Sequence, residues 1–379
     1  MRLSALRILS LAAAGLLMTA CSGESAPPAP VFHEEGFPAA LSDWKLMAAA
    51  NGALTLSPGV TPYDLATPLF TDYALKLRTV TLPAGTSATY NADDVFDFPV
   101  GTIISKTFYY PETGEEWTGD VAVGPNPAVA NGKMQLKGVR LIETRLLVRR
   151  AQGWVAIPYV WNEEQTDAQL QRTGATQRLT LHRPDGREEP FAYIVPNQNQ
   201  CAGCHATNNT TRIMSPIGPK ARHLNKPSSF VAGTNQLDDW VAAGLLKGAP
   251  ADMNAAPRNA VWTDQSESLD ARARAYLDAN CSHCHSNVGP ADTSGLDLRP
   301  QIPFGPKYGE CKTPVAAGGG SGGRPFDIVP GDPGDSIFIY RLQTTEPGNM
   351  MPELGRSTSH EEGVALLAEW IKAMEGGCG

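Results

Sequence analysis

From about residue 77 to residue 194, apolar and polar positions alternate at short range. The runs 103–110, 139–148, 154–161 and 179–181 are rich in β-branched and aromatic residues. Thr113-Gly114, Asn131-Gly132 and Asp185-Gly186 punctuate them as turns. Short strands at this spacing predict a sandwich or an open barrel. Upstream, Leu41-Ser42-Asp43-Trp44 marks a short helix, and 58–68 reads as irregular. After about residue 260 the period changes. Leu269, Ala273, Tyr276 and Leu277 form one apolar helical stripe that runs into Cys281. Asp332-Pro333 followed by Asp335 predicts a second helix start. Ser359 to Glu362 reads as a capping box. It opens a helix with Val364, Leu367, Ala368, Ile371 and Met374 on one face and Gly376-Gly377 at its end. Tyr276 and Trp370 are expected where the first and last of these helices cross. The predicted fold is multidomain, with an all-β, sandwich-like N-terminal domain followed by a mainly α region.

The first 20 residues have a different character. Arg2 and Arg7 precede an apolar run, 8–18, that is too short for a retained membrane helix. Leu17-Met18-Thr19-Ala20-Cys21 resembles a bacterial lipoprotein cleavage site, the alternative being an ordinary secretory signal cut elsewhere. Both predict export. Lipidation of Cys21 would tether the chain to a membrane, and Ser22 after it, by the same resemblance, favours the periplasmic side of the outer membrane. The segments expected are a signal peptide at 1–20, a Ser/Ala/Pro-rich flexible stalk at 21–36, a β-rich domain at 37–195, a segment at 196–260 that binds a first cofactor through its own Cys-x-x-Cys-His frame, and a last domain at 261–379 that carries the second such frame.

Composition narrows the class. The chain has 379 residues, 42% of them hydrophobic and 18% charged, with 37 Gly and 31 Pro. It is therefore loop-rich, with enough apolar content for real cores, and it is not a disordered chain. The net charge is −8, and no Lys/Arg run suggests a nucleic-acid face. Arg145, Arg149 and Arg150 read as a surface cluster. The run Gly318 to Gly323 lacks a following Lys-Ser/Thr and reads as a loop rather than a phosphate cradle.

The cysteines carry the chemistry. Cys201-Ala202-Gly203-Cys204-His205 and Cys281-Ser282-His283-Cys284-His285 repeat one frame, C-x-x-C-H. That spacing suits covalent c-type haem attachment: two thiols a helical turn apart reach the two vinyl groups, and the adjacent His faces the iron. Cys201, Cys204, Cys281 and Cys284 are the expected anchors of two haems, with His205 and His285 as iron ligands. A redox disulfide would need neither His, and a four-thiolate zinc site would leave both unused. Cys311 and Cys378 remain, and in an oxidising compartment they are expected to pair.

With these frames placed, the chain resembles a family of exported bacterial di-haem c-type cytochromes in which a β-rich region precedes two such sites. The matching stretches are Pro196 to Cys201, Pro216 to Arg222, Leu269 to Leu277 and Ile328 to Pro333. The last domain resembles class I cytochrome c and the cytochrome domains fused to exported quinoprotein and sugar dehydrogenases. The class I resemblance implies an axial Met in the loop before the last helix: Met351 first, then Met350, within Gly348-Asn349-Met350-Met351-Pro352. For the first haem the candidates are Met214, His223 and Met253, with Met214 ranked first.

The functional expectation is an electron carrier between a periplasmic or outer-membrane donor and an acceptor. Its partner would be a redox protein or an exported dehydrogenase. No nucleic-acid partner is expected, and membrane contact would be through the lipid alone. The acidic balance favours basic partners. The alternatives are a di-haem peroxidase or oxidase with one open haem, and a binding role for the β domain with the haems as sensor or relay.

Overall fold

The computed structural model describes residues 27–315 and 317–379. The expected signal peptide, Cys21 and the stalk as far as Ala26 lie outside the described residues. The N-terminal part is mostly β-sheet, in several sheets. The largest is antiparallel and six-stranded, in the order Ala168–Leu170, Gly153–Trp161, Val139–Arg150, Ile103–Pro111, Leu75–Thr81, Thr61–Tyr63. The expected runs all fall in strands, and Leu41–Trp44 is a 3₁₀ helix.

Period-2 alternation decides what each face of this sheet meets. On one face Ile103 and Tyr109 pack with Met47, Leu54, Leu56 and Met134 of a four-stranded sheet. Two hairpins of that sheet turn at Asn51-Gly52 and Asn131-Gly132. All four of these residues have positive φ, as a two-residue turn matched to strand twist requires. The opposite face is also covered. Phe108 and Tyr110 pack on Leu179, Leu181 and Tyr193 of a three-stranded sheet, while Ile104 joins Ala221, Leu224, Leu237 and Trp240. Part of the 196–260 segment thus shares a core with the sheet.

The helices are α1 (Gln198–His205), α2 (Ala221–Leu224), α3 (Gln236–Ala242), α4 (Leu269–Asn280), α5 (Ile337–Gln343) and α6 (Glu361–Lys372). The expectation of a mainly α C-terminal region is not met. Residues 281–336 carry 3₁₀ turns and loop, because Gly and Pro recur through them and oppose helix propagation. Helix α5 starts at Ile337, after Ser336, and Asp332 instead closes a turn by accepting from the Asp335 N–H at 3.1 Å. The capping box at Ser359 does not form either. Its hydroxyl donates to the Leu342 carbonyl at 3.1 Å, and His360 occupies the N-cap position of α6 without a side-chain cap bond.

Helices α4 and α6 do pack together, and the last core gathers Ala273, Leu277, Leu298, Ile328, Leu367 and Ile371. Tyr276 and Trp370 flank this crossing without stacking on each other. The Tyr276 hydroxyl lies against Gly363, where a Cβ would collide with it. Trp370 donates to Asp270 at 2.9 Å and packs on Phe304. Cys311 and Cys378 form the expected disulfide, with Cα atoms 5.3 Å apart. The basic cluster is not a surface one: Arg150 is 7% exposed and donates to the Gly36 carbonyl, and Arg145 is paired with Glu143. Among the described residues no helix is long and apolar enough to cross a membrane.

Candidate functional site

Helix α1 is short but firmly started. Asn197 accepts from the Gln200 N–H at 2.8 Å, and the Gln200 side chain accepts from the Asn197 N–H at 2.9 Å. Cys201, Cys204 and His205 follow at helical spacings of three and four, which places them on one face. The His205 ring donates through Nδ1 to the Ser215 carbonyl at 2.9 Å. That bond fixes the tautomer and leaves Nε2 with a free lone pair.

The second frame begins as α4 ends. Cys281 is its C-cap residue, and its N–H closes onto the Leu277 carbonyl at 2.8 Å. The chain keeps turning: the His285 N–H donates to the Cys281 carbonyl at 2.9 Å, so His285 returns beside the cysteines. The His285 Nδ1 is tied to the Ser294 hydroxyl at 3.1 Å, again leaving Nε2 free. Burial holds both imidazoles neutral, pushed down to about 4.

The two frames, remote in sequence, meet. Cys204 and Cys284 line the same cavity, and the neighbouring Cys284 thiol pulls the Cys204 thiol below its ordinary range against the effect of burial. The same proximity and burial push Cys284 up, and burial pushes Cys281 up to about 12. Nearby, the Asn209 N–H donates to the Val288 carbonyl at 2.6 Å. Gly203 sits so close to Leu354 that a Cβ there would lie 3.1 Å from the Leu354 side chain.

A cavity of about 520 Å³ opens beside this meeting point. Leu277, Leu296, Leu298, Ile337, Leu342 and Val364 wall it, while Cys204, Cys281, Cys284 and His285 line it together with Met351. Met350 is not among its lining residues. The Met351 loop is pinned at both backbone groups. Its N–H donates to the Arg341 carbonyl at 2.8 Å, and its carbonyl accepts from Arg356 at 3.0 Å.

Two of the residues proposed for the distal side of the first frame are engaged with other partners. His223 is buried and donates to Asp278 at 3.0 Å. Met253 packs against the core beneath the large sheet. Met214 is half-buried and adjoins Ser215, whose carbonyl accepts from His205 Nδ1.

Three residues were not legible as part of this site. Arg356, 4% exposed, donates to four carbonyls, those of Met351, Thr358, Arg341 and Thr344. His360 lines the cavity inside an aromatic cage. It stacks on Phe70 at 4.2 Å, meets Trp262 edge-on at 5.0 Å, and shares a 2.9 Å hydrogen bond with the Tyr276 hydroxyl. Asp278 accepts from Arg222, His223, Asn259 and Ser282. Burial alone would raise its pKa, and these donors hold it well below the usual carboxylate range. Sequence gave no periodic signal for any of the three, since each is defined by partners far along the chain.

Among the described residues no group of three or more His, Cys, Asp or Glu side chains is placed to hold a metal ion. Comparison of the chain with protein-family models, with curated proteins and with solved structures finds no match in any of the three. With no relative matched, few helices and a loop-built C-terminal part, the resemblance to a di-haem cytochrome family and to class I cytochrome c is not upheld.

Proposed function

We propose that this protein carries two covalently attached c-type haems and transfers single electrons between exported redox partners. One observation carries the reading. Two C-x-x-C-H frames converge on one cavity, which Cys204, Cys281, Cys284 and His285 line together, and each frame's His has Nδ1 tied and Nε2 free. The donor set fits the group: a porphyrin brings four nitrogens of its own, so each iron asks the protein for one or two ligands rather than a cluster of three or more. The apolar walls and the cavity of about 520 Å³ suit a flat hydrophobic ring at the second frame.

When bound, each haem supplies a one-electron iron centre. The chain's own residues do the rest. Cys201 and Cys204, and Cys281 and Cys284, anchor the rings. Ser215 and Ser294 aim the imidazoles, and Met351 stands ready on the cavity wall as the sixth ligand at the second frame. The large sheet, packed sandwich-like on the four-stranded sheet through one face, serves as the backing for α1 through its Gly153–Trp161 strand. Export and lipidation at Cys21 belong to the same reading, since thioether attachment and the Cys311–Cys378 disulfide both suit an oxidising compartment.

A second reading, a peroxidase- or oxidase-type enzyme, is favoured by the engagement of His223 with Asp278 and of Met253 with a core, which would leave the first haem without either as a sixth ligand. The mature protein, made with c-type maturation machinery, should gain the mass of two haems and show low-spin spectra. A colourless product of unmodified mass overturns the proposal. Rapid binding of carbon monoxide or peroxide to one haem moves it to the enzyme.

A further inference from the structure

The large sheet presents an unusual row of charges on the face turned toward α1. Arg78, Lys106 and Arg145 are direct cross-strand neighbours on three adjacent strands, and Lys76, Phe108 and Glu143 form the next row on the same face. Like charges placed directly opposite one another destabilise a sheet, so each cation here needs an answer. Arg145 has one in Glu143, held by two hydrogen bonds. Arg78 has a distant one in Asp64 at 3.9 Å. Lys76 donates to the Ala74 carbonyl at 2.8 Å, a dipole and not an anion. Lys106 makes no hydrogen bond or ion pair with any described residue. Its ammonium lies 5.5 Å from the Phe108 ring, which Lys76 and Arg145 also approach, at 5.6 and 4.3 Å. Burial and the cationic neighbours push Lys106 down to about 7 and Lys76 well below its ordinary range, and the nearby Glu143 is shared with Arg145, so an anion bound at this row would restore the balance of charge.

The charges are close enough to act on the first frame. Arg145 acts electrostatically on Cys201, and Lys106 on both Cys204 and His205. Helix α1 itself packs on the Gly153–Trp161 strand of this sheet. Among the described residues no carboxylate makes a hydrogen bond or ion pair with Lys106: Glu143 is committed to Arg145 and to the Tyr193 hydroxyl.

We infer that this cationic row seats the two propionate carboxylates of the haem anchored at Cys201 and Cys204. The inference rests on the di-haem reading above. Lys106 is the main contact, with Arg78 and Lys76 beside it. The paired Arg145–Glu143 closes one side. The row raises the potential of that haem, because positive charge nearby favours the ferrous state. It also keeps the propionates ionised inside the fold.

The test uses the holoprotein, with haem content checked first by mass. Lys106→Met removes the charge and keeps much of the length, and Lys106→Arg restores it. In the Met variant the oxidised-to-reduced ratio of the first haem should rise about tenfold at fixed ambient potential. A protonated-carboxyl band should also appear in its redox-difference infrared spectrum. The Arg variant should show neither change. Inorganic phosphate added to the native holoprotein should leave the potential unchanged, since the row is filled. With two haems present by mass, an unchanged ratio and spectrum in Lys106→Met overturns the inference and leaves the di-haem reading standing. A phosphate-dependent shift also overturns it, by assigning the row to free anions. Absence of haem by mass fails the earlier reading itself.

Discussion

His205 and His285 show how little a single side chain needs to become a ligand. A neutral ring, one nitrogen bonded and the other bare is the whole requirement, and Ser215 and Ser294 provide the bond. Met351 meets the corresponding requirement for a thioether, a backbone held on both sides while the side chain stays at the cavity wall. Met351→Ala should therefore open the second haem and lower its potential by on the order of 0.1 V. Spectroelectrochemical titration with a spin-state check would show it, and an unchanged potential and spin state would remove Met351 from the iron. The two histidines were visible as candidates in the bare sequence, because C-x-x-C-H is a local pattern. The choice between Met351 and Met350 was not local: only Met351 faces the cavity.

At the scale of elements, loops carry the structure where helices were expected. The Met351 loop and the entry to α6 are held by Arg356, whose guanidinium reaches four carbonyls at once. Arg356→Ala should cost about 3 kcal/mol or more, since buried carbonyls lose their donors together. Chemical denaturation measures it, and Arg356→Lys should recover only part, because an ammonium lacks the planar fork. The Cys311–Cys378 bridge ties the loop region to the C-terminus across 67 residues. Replacing both cysteines by serine should cost about 2–4 kcal/mol, and a protein equally stable with and without reductant would count against that value. The strand runs were visible from alternation, since a strand's faces repeat every two residues whatever lies beyond them. The starts of α5 and α6 were misplaced because capping patterns compete with tertiary partners: Ser359 turns to Leu342, and His360 enters an aromatic cage.

At the scale of the whole molecule, the β part and the C-terminal part are fastened to each other. Asp72 accepts from the backbone N–H groups of Ser357 and Thr358 at 2.6 and 2.8 Å. Arg187 meets Glu361 through two hydrogen bonds, and Phe70 stacks on His360. His360 also sets a pH dependence. Burial lowers its pKa to about 4, from an ordinary value near 6.5. Between those values the unfolded chain binds a proton that the folded chain refuses, so stability rises with pH through that window and is lost as pH falls from about 6.5 toward 4. Denaturation midpoints of the native protein and of His360→Phe at pH 7 and pH 5 should differ in slope, with the variant flatter. Equal slopes would place the dependence elsewhere.

The sequence by itself determined the two C-x-x-C-H frames and the alternation of the strands. Thiol spacing and strand alternation are each encoded within a few residues of one another. The tertiary structure alone decided that the two frames line one cavity, that His223 serves Asp278, that Lys106 falls between Arg78 and Arg145, and that 281–336 stays in loops. Each of these depends on residues far apart in the chain being brought within a few ångströms. Hydrogen bonding and burial act over that distance, and no local pattern reports it.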